Sequence, residues 1–345
     1  MDAEIIEPGR DGRWEETVSV HPQANAFHRA GWARVLSRTY GHKPIYLRQQ
    51  LSGDAFALTP LMEVRSIVTG RRGVCLPFSD VCEPLVVGSA EGSDLTPGYR
   101  QIAQERGWKS FEIRGRQGLP ADVEPSEVFA GHQLDLHGSE ESLLGGFDSA
   151  VRRALRKGEK AGLELRVEAS RGAIAAYYRL HEITRRRHGA PPQPYAFFEN
   201  ICEEMIERGL GFVTSAYLDG KVIAAAVFLQ SGANGAYKFG ASDLTFQEYR
   251  ASNAAMWAGI KELRRRGAAS LCFGRTAESN EGLRRFKTGW GARETKIEYF
   301  KFDMAKNTWT GRQGPREGGR AAVIFQRMPL VINRLAGVMI YPHLD

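Results

Sequence analysis

Three arginine-rich clusters, and one lysine beside an aromatic ring, are the residues whose types and spacing could do chemistry. "RRALRKGEK" supplies Arg152, Arg153, Arg156, Lys157 and Lys160, "TRRRHG" supplies Arg185, Arg186 and Arg187, and "RRRG" supplies Arg264, Arg265 and Arg266. Each cluster stands at or near the C-terminal end of an expected helix, where cations meet the negative end of the dipole. Solvated helix ends are one reading. Three such clusters in one half of the chain also make a site for a polyanion, such as a tRNA acceptor arm or a diphosphate. The lysine is Lys287, in "CFGRTAESNEGLRRFKTGWGA" at 272–292. Leu283, Phe286 and Trp290 are three and four apart, which predicts a buried stripe. Lys287 is turned ~100° from Phe286. Spacing alone leaves it as surface charge, or as a cation facing a cleft while its neighbour packs.

Other chemistries lack their signatures. There is no GxSxG elbow, HExxH, Walker A loop or strand-linked GxGxxG, and the eight histidines are dispersed, so no metal cluster is expected. The 345 residues are 42% hydrophobic and 25% charged, enough for two domains with real cores. A net charge of +7 favours anionic partners. The four cysteines show no CxxC and suit a reducing compartment. Met1–Glu7 is acidic and polar, and no run reaches the ~18 apolar residues of a spanning helix, so a cytoplasmic location is expected.

Strands and helices alternate, which predicts mixed α/β layers. In the first part a helix is expected over 26–39, then strands over 44–49, 55–64 and 74–76, a helix over 99–107, and strands over 110–114 and 132–136. From Gly138 onward the pattern is a helix capped by Ser139, a strand over 163–168, helices over 172–187 and 195–208, and strands over 211–218, 222–230 and 235–241. "LDGK" at 218–221 is the turn between the first two of these. A helix over 253–266, a strand over 270–273, a short helix over 280–288 and a strand over 295–302 follow. That order resembles the acyltransferase fold of the GNAT superfamily, and the first part could be a degenerate copy of it. The expected domains are 1–137, 138–303, and a basic linker with an apolar tail over 304–345. The tail "AAVIFQRMPLVINRLAGVMIYPHLD" is open to two readings: a loosely docked helix, or a basic amphipathic element lying on a membrane.

Several stretches together resemble the FemAB-like family: "CFGRTAESNEGLRRFKTGWGA", "FHRAGWARVLSRTYGHKPIYL" at 27–47, "LPFSDVCEPL" at 76–85, "VRRALRKGEKAGLEL" at 151–165, "HEITRRRHGAPPQPYAFFENI", and the tail, which is typical of a branch found beside exopolysaccharide and exosortase loci. The resemblance covers about 15–303 plus the tail. It implies two tandem GNAT-like domains of mixed, mostly antiparallel sheets flanked by helices, with a cleft between them. It implies transfer of an amino acid from aminoacyl-tRNA to an amine of a peptidoglycan or exopolysaccharide precursor, with no cofactor. Lys287 would stabilise the tetrahedral intermediate and Phe286 would shape the pocket for the tRNA end. Arg34 of "GWAR", with Trp32, and Arg187 would hold the acceptor's diphosphate. Ser79 and Asp80 of "PFSD", Arg152 and Arg156 of the basic helix, Asn253 and Arg275 complete the binding candidates. An acyl-CoA donor is the competing reading, and a non-catalytic protein of an envelope complex is the third. A CoA pyrophosphate loop belongs before Asn253, but "TFQEYRASN" has no glycine for close approach to phosphate. The literal match "RRRGAA" at 264–269 falls at the wrong end of its helix.

Overall fold

A computed structural model describes residues 3–89, 92–312 and 319–344, with 319–321 as backbone only. In chain order the elements begin β1 (Ala3–Ile6), α1 (Gly12–Val20), α2 (Ala30–Tyr40), β2 (Lys43–Pro44), β3 (Tyr46–Gln50), β4 (Phe56–Thr59), β5 (Met62–Ser66), β6 (Gly70–Val74), β7 (Leu85–Val87), α3 (Thr96–Arg106), β8 (Ser110–Arg114) and β9 (Glu127–Asp135). There follow α4 (Glu140–Gly146), α5 (Ser149–Lys160), β10 (Glu164–Glu168), α6 (Arg171–Arg187), α7 (Tyr195–Ile201), β11 (Gly211–Leu218), β12 (Lys221–Ser231), β13 (Asn234–Ser242), α8 (Ala251–Arg265), β14 (Ser270–Cys272) and β15 (Thr276–Ala277). The last are α9 (Glu281–Thr288), β16 (Arg293–Asp303), β17 (Thr308–Thr310), α10 (Gly319–Arg327) and α11 (Leu330–Ile340).

The chain divides into two compact units: Met1–Ala130 with Lys296–Arg316 and Met339–Asp345, and Gly131–Thr295 with Glu317–Val338. These limits differ from the expected domains. Residues 296–303 pack with the first unit, and the expected tail is divided between the two. The linker expected over 304–320 contains β17, a hairpin partner of β16 through Lys301↔Thr310; 313–318 lie outside the described residues.

Unit 1 carries an antiparallel sheet in the order β1-β3-β4-β7, and strands in the order β16-β8-β6-β5-β2. Two of its departures from expectation have plain causes. The helix expected over 26–39 starts instead as a single turn at Ala26–His28, which a box between Asn25 and His28 closes off before α2 begins. The strand expected over 55–64 is interrupted at Pro60, which has no N–H to give a ladder. Strands β6 and β8 run parallel over only three pairs, Arg72↔Ser110, Gly73↔Phe111 and Val74↔Glu112, and α3 lies between them in sequence.

Unit 2 orders its strands β10-β11-β12-β13-β14-β9. The β11–β12 turn is the expected one: Asp219 and Gly220 both have positive φ, 50° and 75°, which matches the twist of a tight hairpin. The helix expected after Ser139 is broken into α4 and α5 at Phe147. Phe147 points inward and meets Trp257 and Trp290 edge-on, at 5.4 and 5.2 Å. With Leu155, Phe212, Phe228, Ile260 and Leu271 they form the core between the helices and the sheet. Gly259 lets α8 press onto that sheet, since a Cβ there would lie 2.2 Å from the Phe228 ring.

Candidate functional site

In unit 2 the parallel pairing of β13 with β14 is confined to Asn234↔Ser270, Gly235↔Leu271 and Ala236↔Cys272, although β13 continues to Ser242. Beyond Ala236 the strands part. On the other side, β12 and β13 stay paired, with a register shift at Val227/Phe228. Such bulges re-aim side chains beside sites. The parted stretch borders a cavity of about 160 Å³ lined by Ala225, Ala226, Tyr237, Gly240, Ala241 and Ser242 from the strands, Ser252, Ala255 and Met256 from α8, Thr184, Arg187 and His188 from the end of α6, and Phe286 from α9. That is about the size that holds a benzene-sized group. Small residues make the room: a Cβ on Gly240 would lie 1.7 Å from the Tyr237 hydroxyl.

Among the described residues that line the cavity, Arg187 is the one cation. Arg187 Nη2 lies 3.2 Å from His188 Nε2, whereas its Nη1 is buried with no hydrogen-bond partner among the described residues. Burial, then Arg187 and Arg185, holds His188 below its ordinary pKa, so it can accept from Arg187 as a neutral ring. Among the described residues, no carboxylate lines the cavity. An anionic or carbonyl oxygen would complete Arg187, whereas an ammonium there would meet uncompensated charge. The mouth of the cavity includes the first turn of α8. Its N-cap is Arg250 in the left-handed region, φ 55°, with no side-chain cap.

On α9 the burial is the reverse of the expectation. Leu283 is 38% exposed, Phe286 is half-buried against the core and lines the cavity, and Lys287 is 4% exposed. Only Trp290 is buried as expected. The lysine turns inward because the chain offers it carbonyls: Nζ donates to Gly274 O at 2.8 Å and Arg275 O at 3.2 Å. Gly274 has φ 70°, so the loop after β14 turns both oxygens onto the ammonium. His132 is the neighbouring ionisable group. Burial first, then Lys287, depresses its pKa, while Glu294 opposes. Its Nε2 is 3.2 Å from Glu294 Oε2, and Glu294 is itself forked by Arg284 at 2.7 and 2.9 Å, which holds that carboxyl below the usual range. Lys287 is thus a fixed ammonium in a nearly dry site, beside a neutral histidine.

The remaining candidates are distributed unevenly. Arg275 is half-buried and contributes its carbonyl to Lys287. Asn253 is half-buried in the first turn of α8, and Arg156 is exposed on α5. Arg152 Nη1 donates to Gly145 O and Phe147 O and braces the α4–α5 corner. In unit 1, Arg34 lines a groove of about 560 Å³ together with Arg10 and Lys43. Trp32 is fully buried and packs edge-on against Phe27 at 5.0 Å, so it is core rather than a ligand surface. Ser79 is 1% exposed, and its hydroxyl donates to Leu76 O. Asp80 is half-buried, and its backbone oxygen accepts from the Tyr299 hydroxyl. Sequence reasoning missed Thr184, Tyr237, Gly240, Ser252 and His132. The runs "AAAV" at 224–227 and "GAS" at 240–242, small residues inside long strands, were the signal for the cavity. Nothing in the sequence pointed to His132.

Comparison with known proteins fits this geometry. The model of the acetyltransferase (GNAT) domain family matches residues 147–291. No curated protein matches in sequence. Among solved structures, one titled FemX aligns at TM-score 0.66 with 16% identity, covering 86% of this chain and 97% of its own. The C-terminal domain (DUF2156) of an Agrobacterium fabrum protein described as a lysylphosphatidylglycerol synthetase aligns at TM-score 0.54 and 16% identity, covering 96% and 98%. A tandem GNAT protein from the clavulanic acid biosynthesis pathway aligns at TM-score 0.50 and 11% identity, covering 92% and 99%. At these identities the likeness is one of fold. The chain shares the fold of these structures, and its residues 147–291 match the acetyltransferase (GNAT) domain.

Proposed function

We propose that the chain is an acyltransferase that forms an amide on an amine of a cell-envelope precursor, with an aminoacyl-tRNA as donor. The observation that carries this reading is the dry, carbonyl-anchored ammonium of Lys287 on the same short helix whose Phe286 lines the cavity. The acceptor amine attacks the ester carbonyl carbon, the carbonyl oxygen becomes an oxyanion, and the ester C–O bond breaks. The amine's proton leaves, and the departing ribose hydroxyl takes one up. An ester is already activated, so no enzyme nucleophile is needed. A preorganised cation near the developing oxyanion is the stabiliser that such a step requires. Arg187, with an unsatisfied buried N–H, suits an anionic part of the acceptor. Arg34, in its groove with Arg10 and Lys43, suits a phosphate in the same way. The similar structures titled FemX and lysylphosphatidylglycerol synthetase support an aminoacyl donor and an envelope acceptor. The absence of glycine between Gly240 and Gly259 weighs against a CoA pyrophosphate at α8.

An acyl-CoA donor is the second reading, favoured by the match to an acetyltransferase domain and by a cavity without a carboxylate to receive an aminoacyl ammonium. Mass spectrometry of an amine acceptor incubated with purified protein and either charged tRNAs or acyl-CoAs separates the two. A mass gain from a charged tRNA is expected. Transfer from acyl-CoA alone would replace the donor assignment, and no transfer from either would remove the enzyme reading.

A further inference from the structure

Helix α11 is turned inside out. Its inner face is small and polar: Asn333 is fully buried, and its Nδ2 donates to Phe325 O at 3.3 Å. Gly337 sits so close to Pro192 that a Cβ would lie 2.0 Å from that carbonyl oxygen. Arg334 closes the same side by forking Glu182, a carboxylate only 4% exposed in its side chain. The outer face is aliphatic. Val331, Leu335, Val338 and Met339 are 65%, 59%, 52% and 73% exposed, at i, i+4, i+7 and i+8. On α10, Val323 and Ile324 are exposed at 47% and 60%. Helix α10 in turn is seated on the end of α6, where Gln326 donates to Arg187 O.

A contiguous exposed apolar stripe of this kind marks a surface that is covered in use. Its charge says by what. Residues 319–344 contain no Asp or Glu, while Arg327 is exposed at the corner between the helices and Arg186 lies on the neighbouring turn. A second copy docked by two-fold symmetry over this stripe would set arginine against arginine, since the neighbouring acid, Glu182, is buried and already held by Arg334. A helix of 11 residues is about 16 Å long at 1.5 Å per residue, too short to cross a bilayer. We propose that α10 and α11 form a monotopic docking surface for an anionic lipid bilayer. The aliphatic stripe sinks into the acyl boundary, and the arginines lie at the headgroups. This proposal is independent of the reaction catalysed.

The test is co-sedimentation of the full chain with phosphatidylcholine vesicles, with and without phosphatidylglycerol. Binding is expected only with the anionic lipid, and it should weaken as salt is raised. The Val331→Asp/Leu335→Asp variant should bind about tenfold less tightly, and Arg327→Glu severalfold less. The second substitution leaves the apolar stripe in place should the first upset folding. Failure of the full chain to bind either vesicle, or equal binding by both variants, would overturn the proposal. So would a concentration-dependent dimer in light scattering that Val331→Asp/Leu335→Asp abolishes, since the stripe would then be an interface between copies.

Discussion

The two units repeat one device and finish it differently. In each, a strand is followed after a helix by a parallel partner, and the pairing lasts three residues with glycine in the middle: Gly73 in unit 1 and Gly235 in unit 2. Both glycines are needed for close packing, since a Cβ would lie 2.1 Å from the Trp108 ring or 2.9 Å from Leu263. In unit 1 the space where the strands part is filled. The chain turns through Leu76–Ser79, with Leu76 and Phe78 at positive φ, and returns at Cys82 to bridge Arg114. The Arg114 guanidinium, buried and paired with Glu112, donates to Leu76 O at 3.0 Å and Ser79 O at 2.7 Å and lies over the Tyr299 ring. In unit 2 β13 simply runs on, and the space remains a cavity. Unit 2 also has a buried cation that grips two loop carbonyls, but it is a lysine on a short helix with a neutral histidine beside it. A guanidinium locked to a carboxylate is a clamp. An ammonium is a compact point charge with three donors, better suited to meet a charge that appears during a reaction. On the proposed function, the first cation holds the fold and the second serves the reaction.

That assignment can be broken, beginning with the largest effect. Arg114→Ala should cost about 3–5 kcal/mol of unfolding free energy, because it empties a fully buried site and strands two carbonyls and the half-buried Glu112 carboxylate. Denaturant titration giving under about 1 kcal/mol would end the idea of a clamp. Lys287→Ala should lower turnover by roughly 10²–10³-fold, the usual loss for one oxyanion-stabilising group. Lys287→Arg should recover only part, since the planar fork does not fit two carbonyls arranged for an ammonium. A folded Lys287→Ala enzyme with normal turnover would reduce the lysine to a second clamp. Phe286→Ala is expected to cost about 2 kcal/mol, less than for a fully buried ring, because Phe286 is only half-buried; calorimetry would show it. Gly240→Ala pushes Tyr237 into the cavity and should raise the donor KM about tenfold, close to 1.4 kcal/mol. An unchanged KM would mean that the donor does not enter there.

The gentlest perturbation is pH, and it acts on both units alike. Burial drives His28 of unit 1 down to about 4 and His181 of unit 2 down to about 3. Unfolded histidines titrate near 6.5, so below that the unfolded chain takes up protons that the native state refuses. Stability should therefore decline as pH falls from about 6.5 toward these values. Melting curves at pH 7 and 6 should already differ slightly, and less so in a His181→Gln variant.

Much of the architecture was legible because hydrophobic spacing and turn chemistry are local. The β11–β13 meander, its Asp219-Gly220 turn, and helices α6 and α8 follow from periodicity and turn chemistry. The site was harder to see. Helix α9 has eight residues, too few for an apolar stripe to decide which face is inward, and the deciding partners of Lys287 are carbonyls thirteen and twelve positions away. Arg152 and Ser79 were chosen by type, but each donates to backbone oxygens, which no side-chain pattern reveals. The aliphatic stripe of the tail was visible in the sequence; that it faces outward was not, because Asn333 and Gly337 do not look like anchors until Phe325 and Pro192 are beside them.

The discontinuity of unit 1 bears on how the protein is made. Strand β8 has β6 on one side and β16 on the other, yet the stretch of β16 that pairs with it, Tyr299–Asp303, is translated only after the whole of residues 131–295. At roughly 5–20 residues per second, a ribosome takes on the order of ten to thirty seconds over that stretch. Throughout it, β8 offers an open edge, and the Leu76–Asp80 corner lacks the Tyr299 hydroxyl that binds it. The strands of unit 2 can pair in that interval, and only α10 and α11 remain to be added to it. Slower elongation through residues 131–295 would lengthen the exposure and lower the soluble yield.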